Sequence, residues 1–172
     1  NNPAAIIIVM GCYSQVNAED IDVDIVLGNK DKSKIVEIIE EYIKTKQKKK
    51  IIYDLTKVEF EKMEITNFDS HTRAFVKIQD GCNAFCSYCI IPYVRGRVRS
   101  KDPEDVIKEV TTLVEKGYKE IVLVGINLSA YGTDIGINLC DAIEKVCSVE
   151  GIKRVRLGSL EPEQMDEITI KR

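Results

Sequence analysis

The sequence has a single histidine, no long hydrophobic run and no large excess of charge of either sign. His71 is the only histidine in 172 residues, and it is too isolated in the sequence to be assigned as a zinc ligand. The apolar run at residues 4–10 has no cationic segment before it, which is not the pattern of a secretory leader. With 25 basic and 28 acidic side chains and a net charge of −3, the chain is not a general polyanion binder.

Cysteine, in contrast, is concentrated in one loop. Cys82, Cys86 and Cys89 have the spacing C-x3-C-x2-C directly after the apolar run at residues 74–78. A chain of this length with 44% hydrophobic residues can bury a core without disulfides. Zinc is the alternative, but it normally takes four ligands in paired C-x2-C spacing. Three thiolates this close together favour a cubic iron–sulfur cluster, and the lack of a fourth nearby cysteine leaves one iron open to a ligand other than protein.

The residues around these cysteines resemble the radical S-adenosylmethionine (SAM) enzymes. Cys82-x3-Cys86-x-Tyr88-Cys89 matches their signature, including the aromatic residue before the third cysteine. The wider segment 73–96 is similar to the methylthiotransferases, and within these to the bacterial branch that modifies threonylcarbamoyladenosine in tRNA. The resemblance extends over essentially the whole chain.

This resemblance implies an enzyme that adds a methylthio group to carbon 2 of N6-threonylcarbamoyladenosine at position 37 of tRNA. It implies SAM on the open iron of a three-cysteine [4Fe–4S] cluster, a radical formed from SAM, and a second [4Fe–4S] cluster in the full-length enzyme. It also implies tRNA as a partner, a flavodoxin- or ferredoxin-type electron donor, no membrane, and a cytoplasmic location because the cluster needs reducing surroundings. The alternatives are methylthiotransferases for isopentenyladenosine in tRNA or for a ribosomal-protein aspartate, and an inactive iron–sulfur or zinc-binding fragment.

The resemblance also assigns residues to SAM. These are Tyr88 beside the adenine, Gly125 and Asn127 in the segment that holds the amino group, and Ser159 and Glu161 near the ribose and carboxylate. The three segments that carry them each follow a predicted strand, and ligands of parallel sheets bind beyond the carboxyl ends of the strands. The alternatives are a simple strand-end turn at Gly125 and a helix start at Glu161.

Only Cys12 matches one of the three cysteines that hold the second cluster in the resembled family. The other two have no counterpart in this sequence, so we expect this polypeptide not to hold the second cluster by itself. Family members also continue through further barrel strands and an RNA-binding domain. We therefore expect the chain to be an internal fragment of a longer enzyme.

Two groups of cationic side chains have a structural and a functional interpretation. Arg95, Arg97 and Arg99 lie beside the cysteine loop, and we expect them to contact tRNA phosphates or SAM. The alternative is pairing with the acidic side chains of residues 102–105. For the lysine-rich run 46–50, a solvated turn is favoured over an RNA contact.

The hydrophobic pattern predicts an α/β protein in two pieces. The family resemblance implies that residues 1–53 are the C-terminal part of a flavodoxin-like methylthiotransferase N-terminal domain and that 73–172 are the first half of a radical SAM partial (β/α) barrel. Residues 54–72 lack periodicity and are interpreted as a linker. The predicted strands are 4–10, 24–27, 51–53, 74–78, 120–124 and 154–158, and the predicted helices cover 33–44, 103–116 and the region from 139 to 147. Strand 4–10 is expected to be buried on both faces, and Cys140 and Cys147 are expected to pack as small core hydrophobes.

Overall fold

The computed structural model describes residues 2–65, 67–68, 72–162 and 165–172. The chain divides into two compact units, Asn1–Glu61 with Phe85–Gly96, and Lys62–Ala84 with Arg97–Arg172. Each unit contains a parallel three-stranded sheet, which confirms the predicted α/β class. The domain boundaries that the sequence suggested stay a prediction, and His71 lies outside the described residues.

The first unit is built around a small parallel sheet. Its strands and helices are β1 (Ile8–Met10), α1 (Cys12–Asn17), β2 (Ile25–Leu27), α2 (Ile35–Thr45), β3 (Lys49–Ile51) and α3 (Ile91–Arg95). The strands pair in the order β1-β2-β3, with Ile25 opposite both Ile8 and Lys49. All three residues of the central strand β2 are fully buried. Ile38 of α2 packs onto the same core, so the amphipathic face of α2 covers this sheet.

The prediction of a long, doubly buried first strand is wrong. Strand β1 begins only at Ile8, and Ile7 and Met10 are exposed. The reason is its place in the sheet, because β1 lies at the edge and only the central strand β2 is enclosed. Burial therefore depends on strand order, which the composition of a single strand does not reveal.

The second unit has a larger core. Its strands and helices are β4 (Ala74–Lys77), β5 (Gln79–Asp80), β6 (Arg99–Ser100), α4 (Pro103–Glu115), β7 (Glu120–Val124), α5 (Leu139–Cys147), β8 (Arg154–Leu157) and α6 (Glu167–Lys171). Strands β4, β7 and β8 form a parallel sheet in that order, with Ile121 opposite both Ala74 and Val155. The predicted strand–helix–strand pattern and its parallel pairing are confirmed.

Helix α4 begins where the sequence predicts and ends one residue before the predicted end. The side chain of Asp102 accepts a hydrogen bond from the backbone N–H of Glu104 at 2.8 Å, as an N-cap does. Pro103 follows at the first helical position, where its missing N–H has no helical partner to lose. After the helix, Gly117 has a φ of +97°, a conformation that favours glycine at helix ends.

The prediction for the two cysteines of α5 is right for one and wrong for the other. Cys140 is buried, whereas Cys147 is exposed. The most buried face of α5 carries Leu139, Ala142 and Val146. Cys147 is the next residue after Val146 and the last residue of the helix. A shift of one residue turns a helical side chain by about 100°, which moves it off the core-facing stripe.

A short antiparallel pair that the sequence did not predict closes the segment that carries the cysteines. Strand β5 pairs with β6, with Gln79 opposite Ser100 and Asp80 opposite Arg99. Asp80 and Arg99 are both buried, and the Arg99 guanidinium lies 3.5 Å from the Asp80 carboxylate. This buried pair holds the two ends of the cysteine segment together.

Candidate active site

Three loops of the second unit follow the carboxyl ends of neighbouring parallel strands. Cys82 follows β4 and β5, Asn127 follows β7, and Ser159 follows β8. Because β4, β7 and β8 are parallel, these ends lie at one edge of the sheet. Parallel sheets bind their ligands at that edge, as the sequence analysis expected.

The structure brings Cys82 and Asn127 together. The side-chain amide nitrogen of Asn127 donates to Cys82 Sγ at 3.6 Å. The backbone N–H of Ala84 also donates to Cys82 Sγ, at 3.4 Å. Two N–H donors therefore point at one sulfur atom, the atom through which a cysteine binds a metal ion.

A cavity of about 420 Å³ lies beside this contact. It is lined by Asn83, Ala84, Val98, Asn127, Ser129, Ala130 and Thr133. Its size is within the range of small-molecule sites, and its lining mixes apolar side chains with a few polar groups, as such sites do.

Asn127 presents an acceptor without a partner to this region. The residue is 7% exposed, and within the described part of the chain its Oδ1 atom is buried and accepts no hydrogen bond. A buried polar atom left unpaired costs about 1–3 kcal/mol, so such atoms normally have a bound partner. A ligand with an N–H or O–H donor would satisfy this oxygen.

The loops after β7 and β8 are joined by a direct hydrogen bond. The backbone N–H of Glu161 donates to Ser129 Oγ at 2.8 Å. The side chains of Ser159 and Glu161 are exposed, and their assignment to SAM stays a prediction. Gly125 allows the loop after β7 to pack closely against Gln79, because a Cβ added at position 125 would lie 2.8 Å from Gln79 Oε1.

The other two cysteines of the motif lie in the first unit. The backbone N–H of Cys89 donates to the carbonyl oxygen of Cys86 at 2.9 Å, which forms a turn. Nearby, the rings of Phe85 and Tyr93 meet edge to face, with centroids 5.6 Å apart. The Tyr88 side chain is 90% exposed.

All three thiols of the motif have the chemistry that an iron–sulfur cluster requires. Cys82, Cys86 and Cys89 are free thiols, and none of them is buried in a core. Soft thiolate donors suit iron–sulfur clusters, so the donor set fits. In the described ranges, no three side chains of histidine, cysteine, aspartate or glutamate are placed to hold a metal ion, and ligation by these cysteines stays a prediction.

Cys12 has a polar environment of its own in the first unit. Its Sγ accepts hydrogen bonds from Arg95 Nε at 3.2 Å and from Asn29 Nδ2 at 3.5 Å. Asn29 is buried and also donates to the carbonyl oxygen of Val94 at 2.6 Å. These contacts join α1 and α3 around one sulfur atom.

Several of the cationic side chains form hydrogen bonds or ion pairs within the protein. Arg95 lies in helix α3 and donates to Cys12 Sγ, and Arg99 of β6 is paired with Asp80; their expected contacts with tRNA or SAM stay predictions. Arg97 is exposed, and its predicted contact with tRNA or SAM stays a prediction. In the lysine-rich run, three side chains pair with acidic neighbours, in the pairs Lys48–Asp22, Lys49–Glu41 and Lys50–Glu19. The turn prediction is nevertheless wrong for Lys49 and Lys50, because both lie in strand β3, which begins two residues before the predicted strand 51–53.

Comparison with known families identifies the superfamily of this chain. The family model of the radical SAM superfamily matches residues 76–167, which include the three-cysteine motif and the loops after β7 and β8. The chain belongs to the radical SAM superfamily. In the described part of this radical SAM chain, none of the helices combines the length and the apolar character needed to cross a membrane.

Curated relatives extend the similarity over nearly the whole radical SAM chain. Two proteins named threonylcarbamoyladenosine tRNA methylthiotransferase MtaB, from Aquifex aeolicus and Bacillus subtilis, are each 41% identical over 99% of this chain. The tRNA-2-methylthio-N(6)-dimethylallyladenosine synthase of Clostridium novyi is 40% identical over 99% of it. The chain spans 39–43% of the length of these relatives.

The chain also has similarity to solved structures. One of these is the radical S-adenosylmethionine methyltransferase TsrM from Kitasatospora setae, with cobalamin and a [4Fe-4S] cluster bound. The TM-score is 0.34 and the identity 14%, over 54% of this chain and 23% of that one.

Proposed function

We propose that this chain is part of a radical SAM methylthiotransferase that adds a methylthio group to carbon 2 of N6-threonylcarbamoyladenosine in tRNA. The substrate is supported by the 41% identity with two proteins of that name. The cofactors are supported by the radical SAM match. Because the chain spans 43% or less of these relatives, the activity is proposed for the whole protein.

The observation that carries this proposal is the arrangement at Asn127. Its Nδ2 donates to Cys82 Sγ, and its buried Oδ1 accepts no hydrogen bond from the described residues. The SAM amino group is a hydrogen-bond donor, so it suits this oxygen. One side chain would then contact a cluster ligand and orient the cofactor.

Cys82, Cys86 and Cys89 would hold the cluster as thiolates, leaving one iron for SAM. When bound, the cluster and SAM supply one-electron chemistry that can abstract hydrogen from an unactivated carbon. The residues of this chain bind, orient and enclose those groups. Tyr88 is proposed to contact the adenine, Gly125 and Asn127 to border the amino group, and Ser159 and Glu161 to lie near the ribose and carboxylate.

Further elements of the proposal follow from the same family resemblance. Cys12 is proposed as one ligand of a second [4Fe–4S] cluster, whose other ligands have no counterpart in this sequence. An electron donor of the flavodoxin or ferredoxin type would reduce the first cluster. A cytoplasmic location is proposed because exposed thiolates and reduced clusters need a reducing compartment.

Anaerobic reconstitution of the full-length protein tests the cluster. We expect brown protein with absorption near 400 nm and about four irons per three-cysteine site. Substituting Cys82→Ala should abolish SAM cleavage and the iron of that site. Cys147→Ser is the matched control, because Cys147 is an exposed cysteine outside the motif and should leave both unchanged. Zinc without inorganic sulfide in the purified protein contradicts the proposal.

Mass spectrometry of tRNA nucleosides from a deletion strain tests the substrate. We expect the methylthio group to be lost from threonylcarbamoyladenosine. Loss from dimethylallyladenosine, that is isopentenyladenosine, instead supports the second candidate function, which the 40% identity with the Clostridium novyi synthase favours. Unchanged tRNA with an unmodified ribosomal-protein aspartate supports the third branch of the family.

A further inference from the structure

Gln79 is a fully buried polar residue that links two of the strand-end loops. It lies in β5, three residues before Cys82, and is 0% exposed. Its Oε1 accepts hydrogen bonds from the backbone N–H groups of Ile126 and Asn127, both at 2.8 Å. Its Nε2 donates to the carbonyl oxygens of Asp80 at 2.9 Å and Gly81 at 2.7 Å. One side chain thus makes four hydrogen bonds, two to the loop after β7 and two to Asp80 and Gly81 at the end of β5 and the start of the cysteine loop.

The orientation of this amide is determined by its partners. Its oxygen faces only N–H groups and its nitrogen faces only carbonyl groups. Rotating the amide by 180° would place oxygen against oxygen and N–H against N–H, so only one orientation satisfies all four bonds. A buried group with this geometry holds both backbone segments in one arrangement.

The neighbouring glycine makes this arrangement possible. A Cβ atom at Gly125 would lie 2.8 Å from Gln79 Oε1 and 2.9 Å from Gln79 Cβ. Both distances are too short for carbon contacts, so any larger residue at position 125 must displace Gln79 or the loop. Gly125 and Gln79 are therefore complementary in shape as well as close in space.

The two segments that Gln79 joins carry Cys82 and Asn127. Gly81 precedes Cys82, and the Asn127 N–H is itself a partner of Gln79. The contact of 3.6 Å between Asn127 Nδ2 and Cys82 Sγ depends on where these two backbone segments lie. Among the described residues, Asn127 is the one cavity-lining residue to which Gln79 is hydrogen-bonded.

We infer that Gln79 is a positioning residue for SAM, which sets the separation of Cys82 and Asn127 through the backbone. The inference rests on the proposed function, since it concerns the same site. The inference adds Gln79 to the residues proposed for SAM binding, although Gln79 itself would contact neither the cluster nor the substrate. Its substitution should change SAM binding without removing any cofactor ligand.

The test compares Gln79→Leu with the unmodified full-length protein after anaerobic reconstitution. Leucine has a similar volume but forms none of the four hydrogen bonds. We expect normal iron content and a dissociation constant for SAM raised by roughly 10- to 100-fold, the usual effect of losing a group that orients a ligand residue. SAM should also perturb the electron paramagnetic resonance spectrum of the reduced cluster less than in the unmodified protein.

Two further variants separate positioning from stability. Val110→Ala creates a cavity in the core of the same unit, where Val110 is fully buried, and it should lower the thermal midpoint while leaving SAM affinity unchanged. Gln79→Met keeps the length of the side chain but forms none of the four hydrogen bonds, so it should also weaken SAM binding. This second variant provides the answer if Gln79→Leu does not fold.

The outcomes are distinguishable. Iron-loaded variants at position 79 that bind SAM as tightly as the unmodified protein, with the same spectrum, overturn the inference and leave the proposed function intact. An unmodified protein that holds no iron–sulfur cluster or does not bind SAM overturns the proposed function, and the inference fails with it. Weakened SAM binding at normal iron content supports both.

Discussion

The hydroxyl oxygen of Ser129 accepts a hydrogen bond of 2.8 Å from the backbone N–H of Glu161. Ser129 follows β7 and Glu161 follows β8, and the two residues are 32 positions apart in the sequence. The bond therefore fixes the third strand-end loop to the second, as Gln79 fixes the second to the first. Ser129 also lines the cavity beside Cys82.

Removing this hydroxyl should loosen the loop after β8. For Ser129→Ala we expect the dissociation constant of SAM to rise by about 2- to 10-fold, the equivalent of one neutral hydrogen bond. Isothermal titration calorimetry on the reconstituted full-length protein measures it. Ser148→Ala is the control, because Ser148 Oγ donates to the helix-end carbonyl oxygen of Lys145 at 2.7 Å and lies outside the strand-end loops. Equal SAM affinities for the two variants would show that the loop after β8 does not depend on the Ser129 hydrogen bond.

Features that depend on short sequence patterns could be predicted. The Asp102-Pro103 pair predicted the start of α4, because the N-cap and first-turn preferences are local. Alternating strand and helix patterns predicted the parallel sheet of the second unit, because such connections leave few other topologies. The cysteine spacing predicted membership of the radical SAM superfamily for the same reason, since its signature lies within residues 82–89.

Features that depend on distant contacts could not be predicted. Two of the four partners of Gln79, the N–H groups of Ile126 and Asn127, are 47 and 48 residues away. From the sequence alone, a glutamine at the end of an apolar run is not distinguished from a surface residue. The glycine at position 125 was the one available signal, because glycine after a strand often marks close backbone packing. Edge placement of β1 and the pairing of β5 with β6 were missed for the same reason.

The N-cap of α4 gives a direct test of local stability. Asp102→Ala removes the acceptor for the Glu104 N–H, and we expect the free energy of unfolding to fall by about 0.5–2 kcal/mol. Asp102→Ser keeps an N-cap oxygen and should recover most of that loss. Urea unfolding followed by circular dichroism measures both variants. A serine variant as unstable as the alanine variant would argue that the charge, and not the cap, stabilises the helix.

Asp24 gives a pH-dependent test in the first unit. The backbone N–H of Ile7 donates to Asp24 Oδ2 at 2.8 Å, and the Tyr42 hydroxyl donates to Oδ1. These bonds, that from Ile7 first, hold the pKa of Asp24 below its ordinary value of 3.8. Because the pKa is lower in the folded state, the carboxylate stabilises the unit above the unfolded pKa, and this contribution is lost as the pH falls through the folded value.

We therefore expect Asp24→Asn to be less stable than the unmodified protein at neutral pH and to approach it in acid. The difference in unfolding free energy should stay constant down to about pH 5 and shrink below about pH 4. Urea unfolding across this range measures it. Tyr42→Phe removes only the second donor and should give a smaller difference with the same pH dependence. A difference that does not change with pH would contradict this account.

Lys101 and Glu109 form a buried ion pair in the second unit, with side chains only 2% and 4% exposed. Burial raises the pKa of the Glu109 carboxyl above its usual range despite the neighbouring ammonium group, so ionising this group inside the protein is costly. Lys101→Met leaves the carboxylate without its partner, and we expect a loss of about 3–5 kcal/mol in unfolding free energy.

Replacing both partners should reverse that loss. In Lys101→Met with Glu109→Leu, the side chains keep similar volumes and no charge has to be buried. We expect this double variant to equal or exceed the unmodified protein in stability, since buried ion pairs are often no better than apolar packing of the same shape. Urea unfolding of the two single variants and the double variant gives the coupling energy. A double variant as unstable as Lys101→Met would mean that the ion pair itself, through its geometry, stabilises the second unit.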